Sequence, residues 1–174
     1  KILKKIEDLL TESILKRNVA DVPTAVLLSG GYDSSMVAAI LQKNQTKRIK
    51  TFTVGFSEKK FDEANQAKKV AAHLKTNHQD FYLDKSQAAE IAKSLPTVFD
   101  EPFSESSTIA LAFISQQLKN DIKILLGTEG GDELFGGHRT YAKAIALDEL
   151  SQKQTFTFLE KLRLYFVRKT NRKI

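Results

Sequence analysis

Two short clusters in this 174-residue chain combine glycines, hydroxyls and carboxylates at spacings that suit anion and cation chemistry. The first is Ser29-Gly30-Gly31-Tyr32-Asp33-Ser34-Ser35, directly after the apolar run Thr24-Ala25-Val26-Leu27-Leu28. Its glycines let the backbone turn tightly and approach a ligand with no Cβ in the way. Helical spacing resumes at Ser34 and continues through Met36, Val37, Ile40 and Leu41. The cluster therefore opens a helix, whose unpaired N–H groups and positive dipole end favour an anion such as phosphate. The hydroxyls of Ser29, Ser34 and Ser35 add donors. Asp33 by itself would repel phosphate, a conflict that a shared Mg²⁺ resolves. No lysine follows the glycines, so this is not a Walker A loop. The competing reading is a plain strand–helix turn with Asp33 as its cap.

The second cluster is Gly127-Thr128-Glu129-Gly130-Gly131-Asp132-Glu133-Leu134-Phe135-Gly136-Gly137. Three carboxylates, Glu129, Asp132 and Glu133, fall within five positions. Such groups repel one another unless a cation or a basic substrate group sits among them. A metal role for Asp132 and a proton-handling role for Glu129 follow. The competing reading is a solvated acidic turn whose carboxylates favour the next helix's dipole.

These clusters need rigid elements to aim them. Apolar periodicity predicts helices over 2–17, from 34 onward, over 62–74, 86–95, 107–119, 139–150 and 155–169. Short apolar or β-branched runs predict strands over 24–28, 49–56, 78–83 and 122–126. Strand–helix alternation implies an α/β fold: a parallel sheet with helices on both faces. Ligands bind such sheets beyond the carboxyl ends of the strands, and both clusters fall at such ends. The expected organisation is a single domain over 1–174, with an N-terminal helix over 1–18, an α/β core over 22–150 and a C-terminal helical segment over 151–174.

Composition narrows the class. Hydrophobic residues make up 41% of the chain and charged residues 28%, as in an ordinary globular protein. No apolar run reaches the roughly 18 residues a membrane span requires, and no signal peptide is visible. The expectation is a cytoplasmic protein without a membrane partner. The absence of cysteine removes disulfides, thiolate metal sites and a cysteine nucleophile from this chain. The net charge of +6 owes much to Lys161, Arg163, Arg168, Lys169, Arg172 and Lys173. No aromatic-interleaved basic stripe accompanies them, so a nucleic-acid partner is not expected. The segment around Phe156, Phe158, Leu159, Leu162, Tyr165 and Phe166 is apolar on more than one face and is expected to promote self-association.

The clusters, taken together, resemble glutamine-hydrolysing asparagine synthetases. The resemblance runs through Ala20-Asp21-Val22-Pro23 to the first cluster, then Phe61-Asp62-Glu63-Ala64 and Thr76-Asn77-His78. It continues through Asp100-Glu101-Pro102-Phe103 with Ser106-Ser107, and ends with the second cluster. It covers about residues 1–141, with four motifs in the family's order and spacing. It implies a Rossmann-like fold of the adenine nucleotide alpha hydrolase type, with a pyrophosphate loop. It implies ATP with its adenosine near Leu27, Leu28 and Val54, its pyrophosphate on Ser29, Gly30, Gly31 and Ser34, and further nucleotide contacts at Gly127 and Thr128. Mg²⁺ would bridge the phosphates to Asp33 and Asp132. The β-carboxylate of aspartate would be adenylated and then attacked by ammonia, with Glu129 and Asp132 as the catalytic residues. His78 would lie near the nucleotide, although a hydrogen-bonded histidine at a strand end is an equal reading.

The chain departs from the family in places. Gly127-Thr128 stands where the family reads Ser-Gly, Tyr32 where leucine is common, and His138 where tyrosine is common. The family's N-terminal glutaminase domain, with its cysteine nucleophile, and a downstream segment bearing a lysine are expected in a longer parent chain. β-Lactam synthetases and lasso-peptide cyclases share the pyrophosphate loop; the former carry tyrosine at the position of Glu129. The alternatives are an amidotransferase acting on another carboxylate and a nucleotide-binding module without catalysis.

Overall fold

The computed structural model describes residues 1–60, 62–101, 105 and 107–151. The elements run α1 (Ile2–Arg17), β1 (Thr24–Leu27), α2 (Tyr32–Lys43), β2 (Lys50–Phe56), α3 (Ala64–Leu74), β3 (Asn77–Leu83), α4 (Lys85–Val98), α5 (Ser107–Leu118), β4 (Ile124–Leu126), α6 (Gly131–Phe135) and α7 (Arg139–Ser151). The contacts separate two compact units, Lys1–Thr128 and Glu129–Ile174.

In the first unit the four strands form one parallel sheet in the order β3-β2-β1-β4. Alternation along β1 and its extension divides the core. Val26 and Leu28 face one layer, with Ile14 of α1, Ala38, Ile40 and Leu41 of α2, and Ala67 and Ala71 of α3. Ala25 and Leu27 face the other, with Phe52 of β2 and Ile114 and Leu118 of α5. A third cluster joins Leu83, Ile91 of α4 and Phe113 of α5. Helices thus cover both faces, as a parallel sheet requires. Leu28 is fully buried, and burying such a side chain stabilises the fold by about 1.5–3 kcal/mol.

Two polar side chains inside β2 are satisfied locally. The Thr51 hydroxyl pairs with Thr76 Oγ1 at 2.8 Å, and Thr53 donates to the Leu28 carbonyl. Such pairing removes the penalty of burying a bare hydroxyl.

The elements differ from expectation in places. Helix α4 continues past Pro96 to Val98 rather than stopping at 95. Proline this close to a helix end removes only its own donor, and Phe99 N still reaches Leu95 O at 3.0 Å. Helix α1 packs through Leu10, Ile14 and Leu15, while Ile2 and Leu9 lie exposed. Phe52 is buried in the core, whereas Phe99 is 37% exposed. Phe61, Pro102, Phe103, Ser106 and the 155–169 helix with its basic cluster and apolar faces lie outside the described residues. Among the described residues, no helix is long and apolar enough to cross a membrane.

Candidate functional site

The first cluster leaves the carboxyl end of β1, a central strand flanked by β2 and β4. Gly30 adopts φ +84°, and Gly31 caps the N-terminus of α2 with extended backbone. The turn is tied by its own serines. Ser29 N donates to Ser34 Oγ at 3.2 Å, the two hydroxyls sit 2.9 Å apart, and Gly31 N donates to Ser29 Oγ at 3.2 Å. Ser34 is almost fully buried, so the two Ser29–Ser34 bonds lie partly out of water, while the Gly31 N–Ser29 Oγ bond is exposed. Ser35 Oγ is buried with no hydrogen-bond partner among the described residues.

Gly30 is required twice over. Its φ falls in the left-handed region, and a Cβ there would lie 2.7 Å from Ala67 N and 2.9 Å from the Gln66 carbonyl carbon. Helix α3 therefore lies directly against the turn. Asp33 stands in the first turn of α2, half-buried beside this cradle.

The expected adenosine contacts part company. Leu27 and Val54 are half-buried and pack on the α5 side of the sheet. Leu28 points to the opposite layer, where it is core; its N–H donates to Phe52 O at 2.8 Å and its carbonyl accepts from Thr53. Strand alternation imposes this split. Gly127 and Thr128 follow β4, which pairs with β1, so they too leave the carboxyl edge of the sheet. His78 lies at the other end. It is the second residue of β3, paired with Thr51, and its Nδ1 meets Thr51 Oγ1 at 3.0 Å. The strand-end reading of His78 holds, and its place near the nucleotide loops does not, because parallel strands put its residue at the amino edge. Burial holds its pKa below the ordinary value, and its Nε2 has no partner among the described residues.

The second unit opens with the rest of the second cluster, which contains a helix the sequence did not suggest. Gly130, at φ +90°, and Gly136, at φ +71°, bracket α6. Asp132 and Glu133 occupy its first turn, where the dipole favours them. The side chains of Glu129, Asp132 and Glu133 are exposed. His138 Nε2 lies 3.0 Å from Glu133 Oε1, and its Nδ1 lies 3.9 Å from Asp132 Oδ2. The hydrogen bond between His138 and Glu133 raises the histidine's pKa and lowers the carboxyl's. A Cβ on Gly137 would fall 1.8 Å from Asp132 Oδ1, so the Asp132 carboxylate rests on a bare backbone.

Among the described residues no group of three or more His, Cys, Asp or Glu side chains is arranged to hold a metal. Asp33, half-buried in the first turn of α2, is a carboxylate donor of the kind Mg²⁺ takes beside phosphate oxygens. The α2 N-terminus, entered through the Ser29–Ser34 turn, is of the kind that fits a phosphate group.

Comparison with known proteins agrees with the fold. The NMN synthetase of Francisella tularensis aligns with a TM-score of 0.50 at 14% identity, covering 79% of this chain and 58% of that one. The NH3-dependent NAD synthetase of Campylobacter jejuni aligns with a TM-score of 0.52 at 16% identity, covering 79% and 62%. The fold class is that of the adenine nucleotide alpha hydrolases, a parallel sheet between helices. Residues 5–173 match the family described as Asparagine synthase, and the chain belongs to that family. A putative glutamine-hydrolyzing asparagine synthetase of Methanocaldococcus jannaschii is 30% identical over 157 residues, and asparagine synthetase 1 of Bacillus subtilis is 31% identical over 147. These matches cover 90% and 84% of this chain but only 30% and 23% of the relatives.

Proposed function

We propose that this chain carries the ATP-handling site of an asparagine synthetase. The observation that supports it best is the self-tied Ser29–Ser34 turn at the carboxyl end of a central strand, in a chain of this family. The reaction is aspartate, ATP and ammonia to asparagine, AMP and pyrophosphate, with the ammonia drawn from glutamine by a glutaminase domain of the whole protein.

A carboxylate oxygen is a poor leaving group, and adenylation corrects this. The β-carboxylate of aspartate attacks the α-phosphorus, the bond to pyrophosphate breaks, and β-aspartyl-AMP forms. Ammonia then attacks the activated carbonyl, loses a proton, and AMP departs. Charge building on pyrophosphate needs donors fixed in advance. Ser29, Gly30, Gly31 and Ser34 are assigned to that task, with Gly127 and Thr128 as further nucleotide contacts. Adenosine is assigned to Leu27 and Val54 on one face of the sheet, while Leu28, buried in the opposite layer, is left without a contact. Asp33 and Asp132 are the carboxylates proposed for Mg²⁺, which neutralises phosphate charge when bound. Glu129 is the proposed acceptor of the ammonia proton. The reading places the protein in the cytoplasm, where its substrates occur.

Calorimetric titration with ATP, with and without Mg²⁺ and with AMP and GTP as controls, tests this. Saturable, adenine-selective, Mg-sensitive binding is expected, followed by aspartate-dependent pyrophosphate release in the whole protein. Binding with no preference for adenine would sink the assignment. Nucleotide binding without pyrophosphate release in the whole protein would favour a non-catalytic module, and release driven by a different acid would favour another amidotransferase.

A further inference from the structure

The segment between β2 and α3 belongs to a motif that the chemistry above leaves without a task. Asp62 lies in it, half-buried. Its Oδ1 accepts from Ala64 N at 3.2 Å, at the start of α3, and from Phe56 N at a longer 3.4 Å, at the end of β2. Glu63, the N-cap of α3, makes no side-chain capping bond, so Asp62 supplies the anchor that the cap does not. The carboxyl lies over Gly55. A Cβ there would come 3.1 Å from Asp62 Oδ1 and 2.6 Å from the Tyr82 ring, so only glycine leaves this room.

The helix that Asp62 anchors is the one that backs the phosphate turn. Ala64 and Ala67 are fully buried, and Gln66 and Ala67 offer their backbone to Gly30 at the distances where a Cβ would collide. A continuous line of contacts therefore runs from the end of β2 through Asp62 and the first turn of α3 to Gly30. We propose that Asp62 is a positioning residue for the nucleotide site. It clasps β2 to α3, and through α3 it sets the backbone of Gly30 and Gly31 against which pyrophosphate would lie. The inference rests on the ATP reading for its consequence but not for its geometry. Asp62 acts as a hydrogen-bond acceptor, so asparagine, which keeps an accepting Oδ1, should serve nearly as well.

Two readouts on the same variants separate the two claims. The first is residue-resolved amide exchange, which reports local opening without any ligand. Asp62→Ala should speed exchange at Ala64 and also at Gly30 and Gly31, and Asp62→Asn should return all three to within about threefold of wild type. The second is ATP affinity with Mg²⁺, expected to weaken roughly tenfold in Asp62→Ala and less than about threefold in Asp62→Asn. Wild-type exchange at Gly30 and Gly31 in Asp62→Ala would overturn the proposal, as would Asp62→Asn matching the loss of Asp62→Ala. If Asp62→Ala does not fold, Asp62→Glu keeps the charge but displaces the oxygen and carries the same expectation; wild-type exchange at Gly30 there overturns the proposal. A wild type that ignores ATP, with Asp62→Ala still loosening Gly30, would reject the ATP site while supporting the clasp.

Discussion

The two glycine-rich loops are built in opposite ways. The first is tied by internal serine bonds, two of them part-buried, and backed by a neighbouring helix. The second carries its carboxylates in the open, two of them, Asp132 and Glu133, bracketed by left-handed glycines and approached by the exposed His138. The first loop is held in shape by its own bonds, which is what the proposed anion site would need of donors fixed in advance. The open loop holds its acids only by surface interactions, which are individually weak. Glycine is needed for different reasons in each. Gly30 lacks room for a Cβ, whereas Gly130 and Gly136 have nothing within 4 Å of the place a Cβ would take.

The sharpest way to break this comparison is Gly30→Ala beside Gly130→Ala. Both impose left-handed strain of about 1–2 kcal/mol. Only the first also drives a methyl into the backbone of Gln66 and Ala67. Gly30→Ala should abolish measurable ATP binding and markedly lower the melting temperature, while Gly130→Ala keeps ATP affinity near wild type. Equal losses in calorimetry and thermal melting would show that the two loops are not different in kind.

Next in size is Glu129→Gln in the whole protein. Removal of a proton acceptor should slow amide formation by on the order of a hundredfold or more and leave ATP binding intact. A parallel loss of ATP affinity would make Glu129 a structural residue. Asp33→Ala should weaken ATP binding roughly tenfold with Mg²⁺ and little without it, a contrast that titration in EDTA reads directly. Ser34→Ala leaves Ser29 N without its acceptor, at a cost of about 1–3 kcal/mol. A melting temperature unchanged from wild type would mean that the serine ties do not shape the turn.

The smallest effect is a pH contrast between two histidines. Burial lowers the pKa of His78, so its neutral form is favoured in the fold. As pH falls below its ordinary value of 6.5, the unfolded chain takes up a proton that the fold resists, and stability drops. The pKa of His138 is raised by Glu133, so its contribution is present below 6.5 and fades as pH rises through the raised value. Melting curves across this range should flatten on the acid side in His78→Gln and lose a slight acid-side gain in His138→Gln. The same sign in both variants would refute the contrast.

Much of this was legible from residue order. The strand–helix alternation, the parallel sheet and the loop at residues 29–35 follow from apolar period and glycine placement, because both act within a few residues. The helix α6 was hidden because four glycines read as loop, and only left-handed caps on either side show a turn of helix between them. His78 appeared near the nucleotide loops because motif order says nothing about which edge of a sheet a residue occupies. Asp62 stood within a recognised motif, yet its bonds to Phe56 and Ala64 join groups that only the folded loop brings together.

The sequence by itself therefore determined which residues offer donors, carboxylates and conformational freedom, since those are properties of each side chain and its near neighbours. The tertiary structure decided which leucine is fully buried and which packs half-buried on the α5 side, which glycine has no room, and which acid is half-buried. Those outcomes depend on what packs against each residue from far along the chain, as α3 packs on Gly30, and no local pattern encodes the neighbour.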